Sequence, residues 1–152
     1  MAEVEAKMAT VVASRSPDIL IARGIGSCLV VSAYSKQLGA GGMLHAMLPK
    51  NPGTDPAHAK YVDSGIDALF STLRTMGMPA RGLEVKMAGA ANMFPSLSLE
   101  KKVEIGNRNI DTAREKFKKL GIMLSGEDVG GTHGRTITLN LANGRLEVRA
   151  SI

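Results

Sequence analysis

CLVVSAYSKQLGAGGMLHAMLP, from Cys28 to Pro49, holds two apolar runs of strand length on either side of a polar connection. The first, Cys28–Tyr34, is rich in β-branched residues, which suit a pleated and half-buried surface. Ser35–Gly39 has turn composition, so the second run, Gly41–Pro49, is expected to fold back on the first as a hairpin. Upstream, Ala9–Ala13 and Ile19–Ala22 read as two further strands, with Pro17 and Asp18 between them leaving their register open. Downstream, Asn51–His58 contains two prolines and a glycine and reads as a loop able to move.

Two amphipathic helices follow. Val62, Ile66, Leu69, Phe70, Leu73 and Met76 form one apolar face, with Gly77 as the stop. Ile110, Ala113, Phe117 and Leu120 form another, ended by Gly121, with Asn107 or Asn109 as the expected cap. Leu83–Gly89 alternates between them as a half-buried strand, and Ile122–Glu127 and Arg135–Leu141 read as later strands. Asn143-Gly144 between two alternating runs is a strong hairpin signal. Strands grouped in clusters, without strict βαβ alternation, predict an α+β fold. The sheets are expected to be mixed or antiparallel, with the two helices packed outside and Val62, Ile66, Phe70, Leu73, Ile110, Ala113 and Phe117 buried.

The 152 residues predict one domain spanning 1–152, long enough to build a core without metal or disulfide staples. The net charge of +5 has no dense basic block behind it, and the chain has no Trp, two Tyr and three Phe on which bases might stack. Nucleic acid is therefore not an expected partner. A single cysteine excludes an internal disulfide framework and a cysteine-rich zinc site, and suits a reducing compartment. With no apolar stretch near 18 residues, membrane insertion is not expected, and a cytoplasmic location is.

Two residues invite chemistry. Cys28 follows Gly24-Ile25-Gly26-Ser27, where glycines allow backbone N–H groups to face a bound oxygen. It is either a nucleophile or a small buried hydrophobe. His45, among apolar neighbours, is either its proton acceptor across the hairpin or a core histidine bonded to backbone. His58 and His133 lack metal-ligand spacing, and Gly24-Ile25-Gly26 lacks the rest of a nucleotide fingerprint. Asn92 and Asp128 read most simply as turn residues. Arg108 is either a solvated residue at the helix start or an anchor for a neighbouring loop.

Seven segments in order resemble the CheD family of chemoreceptor glutamine deamidases. They are Gly24–Cys28, His45–Pro49, Lys60–Asp63, Gly89–Phe94, Ile105–Asn109, Glu127–Gly131 with Gly134-Arg135, and Gly144–Arg149. The resemblance implies a cysteine hydrolase that converts receptor glutamines to glutamate with release of ammonia in chemotaxis. It implies Cys28 as nucleophile, His45 as general base, and backbone donors at Ser27 and Cys28 for the oxyanion. It requires no metal or organic cofactor, because sulfur and imidazole supply the nucleophile and the acid–base function. The implied partners are the cytoplasmic helices of methyl-accepting chemotaxis proteins and a CheC-type phosphatase.

One position departs from the family. Six residues before the cysteine, a hydroxyl residue, usually Thr, helps to orient the histidine; here it is Ala22, which has no side-chain donor or acceptor. Loss of an orienter slows such a triad without abolishing it. His45 is then expected to meet a backbone carbonyl, a water or nothing, with Ala22→Thr raising the rate. The alternative is a catalytically weak or inactive module that binds CheC and receptor helices.

Overall fold

The turn at Ser35–Gly39 closes a hairpin. The structure, a computed structural model, describes residues 1–93 and 104–151. Strands β4 (Leu29–Ser35) and β5 (Ala40–Ala46) pair antiparallel, with Val30 opposite His45 and Ser35 opposite Ala40. Every residue of both strands is buried, as befits strands covered on both faces.

This hairpin is the centre of a five-stranded sheet. β2 (Thr10–Arg15) pairs with β5, and β6 (Glu84–Gly89) pairs with β4, both antiparallel. β7 (Gly126–Val129) adds to β6 in parallel, giving the order β2-β5-β4-β6-β7. A second, four-stranded sheet has the order β1-β3-β8-β9, from β1 (Glu3–Glu5), β3 (Ile19–Ile25), β8 (Arg135–Asn140) and β9 (Arg145–Ala150). Its β1–β3 pair is parallel and the others antiparallel. The fold is α+β with two mixed sheets, as the clustered strands predicted.

Side-chain alternation along the hairpin sorts residues between two cores. Leu29, Val31, Ala33, Leu44 and Ala46 face helices α1 (Val62–Thr75) and α2 (Ile105–Leu120), where Ile66, Leu69, Leu73 and Phe117 complete the cluster. Val30, Tyr34 and Met43 face the other sheet, packing with Leu20, Ala22, Ile25, Ile137 and Leu139. The result is three layers: helices, the five-stranded sheet and the four-stranded sheet. Helix α1 comes close enough to β5 that a Cβ at Gly65 would strike the Leu44 methyls.

Several expectations need correction. Cys28 precedes β4 instead of beginning it. The strand expected from Ile122 starts at Gly126: after the left-handed Gly121 at the end of α2, Ile122 and Leu124 pack against the helix-side core. Ile110 is only partly buried; Asn109 takes the fully buried place on that face. β1 was not expected, because three residues with one apolar side chain carry almost no periodic signal. The Asn51–His58 segment is a loop, as expected, and carries hydrogen bonds. The Asn51 side chain donates to Asp55 O and Ser64 Oγ, and Tyr61 donates to the Asp55 carboxylate at 2.8 Å. Phe94, part of the resemblance, lies outside the described residues.

Leu69 is fully buried between α1 and the sheet. Leu69→Ala is expected to lower the unfolding free energy by about 2–5 kcal/mol in urea titration. Met123→Ala, at a side chain 90% exposed, should stay within about 0.5 kcal/mol.

Candidate active site

The chain passes from one sheet to the other through Gly26–Cys28. β3 carries a register shift between Ala22 and Ile25, with Gly24 at φ +66, a bulge that turns the strand out of its ladder. Ile25, fully buried, anchors the start of the crossover. The crossover carbonyls then point into the protein. Gly26 O accepts from the Ala91 N–H at 2.9 Å and Cys28 O from the Ala90 N–H at 2.7 Å. Arg135 supports that neighbouring segment, donating to Gly89 O, Gly130 O, His133 O and Asp128.

Cys28 is half-buried, with its side chain against the core between the sheets. Burial pushes its thiol above the ordinary pKa, because a thiolate there loses solvation. Ser27 is exposed beside it.

His45 lies on β5 between Leu44 and Ala46, both of which face the helices, so its imidazole faces the other sheet. It is 3% exposed. Its Nδ1 lies 2.9 Å from Ala6 O; a carbonyl only accepts, so Nδ1 carries the proton in the neutral ring and Nε2 presents a lone pair. Ala6 is itself held by its N–H to Ile21 O at 2.7 Å, continuing the β1–β3 pairing. Burial lowers the His45 pKa, opposed by the Ala6 hydrogen bond and the Glu5 charge. Nε2 is buried and has no hydrogen-bond partner among the described residues.

The ladder relates the two groups. Val30 faces His45 across β4 and β5, and Cys28 lies two residues before Val30. The Cys28 side chain, just ahead of β4, packs against the cluster on the sheet face that the His45 imidazole also occupies. Both are neutral at rest, since burial disfavours thiolate and imidazolium alike. One ring nitrogen is thus fixed by the Ala6 carbonyl, and the other has no hydrogen-bond partner among the described residues.

Ala22 is fully buried in the same core, opposite Ile137. The structure places a backbone carbonyl, that of Ala6, where the sequence offered no side chain to hold His45. No residue type signals a carbonyl, so sequence reasoning missed Ala6. It also missed Asn109, expected at most as a cap. The side chain is buried under α2 and donates to Ser27 O at 2.9 Å and Met47 O at 3.2 Å. Its signal was available: Asn109, Ala113 and Phe117 recur every four residues on one helix face. Asn92 donates its backbone N–H to Gly131 O, and Asp128 pairs with Arg135 at 3.2 Å. His58 opens a short 3₁₀ turn, His58–Lys60. An open cleft of about 530 Å³ lies beside this arrangement, lined by Leu48, Lys50, Tyr61 and Arg108, without Cys28 or His45 in its walls.

A sequence model described as CheD chemotactic sensory transduction matches residues 47–150. The chain belongs to the CheD family. A protein of Thermococcus kodakarensis named "Probable chemoreceptor glutamine deamidase CheD" is 36% identical over 149 residues, covering 97% of this chain and 92% of that protein. A Methanococcus maripaludis protein of the same name is 38% identical, covering 96% of this chain and 94% of its own. The "Chemoreceptor glutamine deamidase CheD" of Thermotoga maritima is 36% identical over 135 residues, 89% of this chain and 83% of that protein. The family match starts downstream of Cys28 and His45; likeness to the CheD relatives extends over nearly the whole chain.

Two outcomes follow from this geometry. Cys28 alkylation by iodoacetamide, followed against pH, should show a midpoint above the free-thiol value of about 8.5, because burial raises the thiol. A thiolate–imidazolium pair at rest would instead give a plateau below neutrality. Ala22→Thr should leave the midpoint and rate within about twofold, since the single Nδ1 proton is already engaged by Ala6.

Proposed function

We propose that the chain deamidates glutamine side chains of chemoreceptors, with Cys28 as nucleophile and His45 as general base. One observation carries the assignment of roles. A buried imidazole is fixed through Nδ1, with Nε2 unpaired, on the sheet face it shares with a half-buried thiol. The names of the CheD relatives supply the substrate class.

His45 Nε2 takes the Cys28 proton as sulfur attacks the glutamine carboxamide carbon. A neutral base with a lowered pKa stays available at neutral pH, and transfer in the attack avoids a standing buried thiolate. Contacts between such groups are often loose before substrate binds and tighten in the complex. The developing oxyanion is held by backbone N–H groups of Ser27 and Cys28. The imidazolium protonates the departing nitrogen, ammonia leaves, and a thioester remains. His45 then removes a proton from water, whose oxygen attacks the thioester carbon; the thiol is regenerated and glutamate released. The new carboxylate is a site for methylation on the receptor.

The second reading is a module that binds receptor helices and a CheC-type phosphatase with little catalysis. Ala22 favours it, because the family's hydroxyl is absent. The Ala6 carbonyl weighs against it by supplying the missing orientation. Either reading places the protein on the cytoplasmic side of its receptors. No helix among the described residues is long and apolar enough to cross a membrane.

Intact-mass analysis of a receptor fragment incubated with the protein should show gains of about one dalton per glutamine converted. Cys28→Ser and His45→Ala should each reduce conversion by about 10³-fold or more while the fold persists. An inactive parent that still binds the fragment would favour the second reading.

A further inference from the structure

Asn109 is a buried polar group that this mechanism leaves without a role. It is fully buried on α2. The first turn of α2 lies directly on the Ala90–Ala91 backbone, a contact that a Cβ at Gly106 would block. From there Asn109 Nδ2 donates to Ser27 O at 2.9 Å and Met47 O at 3.2 Å. Its Oδ1 is buried with no partner among the described residues. One amide thus bridges the residue before the thiol and the second residue after His45. An amide with an unsatisfied oxygen is a poor filler of apolar space.

Peptide planarity gives the bridge a consequence. Ser27 C=O and Cys28 N–H belong to one trans unit and point in opposite directions. Holding the carbonyl against α2 aims the Cys28 N–H away from the helix. The preceding unit is held likewise, with Gly26 O on the Ala91 N–H. Neither the Ser27 nor the Cys28 N–H donates to a backbone carbonyl among the described residues.

We propose that Asn109 is a positioning residue that fixes the Ser27–Cys28 peptide so that its N–H is available to an oxyanion. Its bond to Met47 O ties that peptide to the segment that directly follows the strand carrying His45. This role rests on Cys28 being the nucleophile, and its test separates the two.

Two reactions of Cys28 are compared in the parent, Asn109→Leu and Asn109→Ala. With 4-nitrophenyl acetate, the sulfur bonds to the acetyl carbon and 4-nitrophenolate leaves with the C–O electron pair, by way of an oxyanion. With iodoacetamide, the sulfur displaces iodide and no oxyanion forms. Both variants should acylate about 10- to 100-fold more slowly, as expected when a preorganised donor is misaligned, and alkylate within about twofold of the parent. On a receptor fragment, kcat should fall in step with acylation while KM stays within about twofold. A parent that does not deamidate, but whose acylation falls selectively in the variants, loses the substrate assignment and keeps this inference. A deamidating parent with unchanged variant acylation overturns it. So do an unreactive parent thiol towards the ester, a parallel change in both reactions, or unfolding of both variants by circular dichroism.

Discussion

The antiparallel register of β4 on β5 is the constraint on which the rest depends. Val30 stands opposite His45, and every residue of both strands is buried. Strand side chains alternate, so a one-residue slip would exchange the two faces. Leu44 and Ala46 would leave the helix-side core and His45 would turn towards α1. The two apolar clusters penalise that slip from both sides, and the hairpin turn at Gly39 allows no slack. The same register turns His45 to the face against which Cys28 packs. Hydrophobic sorting thus sets the geometry of the polar pair.

Holding an imidazole there has a cost. His45 is buried, its protonated form is disfavoured, and Nε2 has no partner. An unpaired buried nitrogen destabilises a fold by about 1–3 kcal/mol. The Ala6 carbonyl offsets part of that by accepting from Nδ1, and it is held by the short parallel pairing of β1 with β3. A backbone orienter is less easily displaced than a side chain, because moving it requires moving the strand connection. Burial likewise raises the Cys28 thiol, which keeps the proton on sulfur. The neutral pair avoids the desolvation of two buried charges.

The crossover that carries Cys28 is built by backbone hydrogen bonds more than by apolar packing. Ala90 and Ala91 hold the carbonyls of Cys28 and Gly26, and Asn109 holds that of Ser27. Three consecutive carbonyls are therefore turned inward, from the loop after β6 and from α2. Arg135 braces the loop from β8. Segments distant in sequence thus converge on three residues of the crossover.

The α+β class, both helices and the two hairpins were legible because each rests on short-range signals. Periodicity marked Val62–Met76, turn chemistry marked Ser35–Gly39 and Asn143-Gly144, and β-branched runs marked the central strands. Cys28 and His45 stood out by residue type, and Ala22 by the hydroxyl it lacks. Three residues of β1 and the late start of β7 were not legible, since tertiary pairing creates those strands. Ile110 was assigned to the core and Asn109 to a cap because hydropathy ranks one above the other. Packing reversed them, as Asn109 finds two carbonyls inside the protein. The orientation of His45 belonged to tertiary structure alone. A backbone carbonyl is present at every residue, and only the folded chain selects the one at Ala6 to meet the ring.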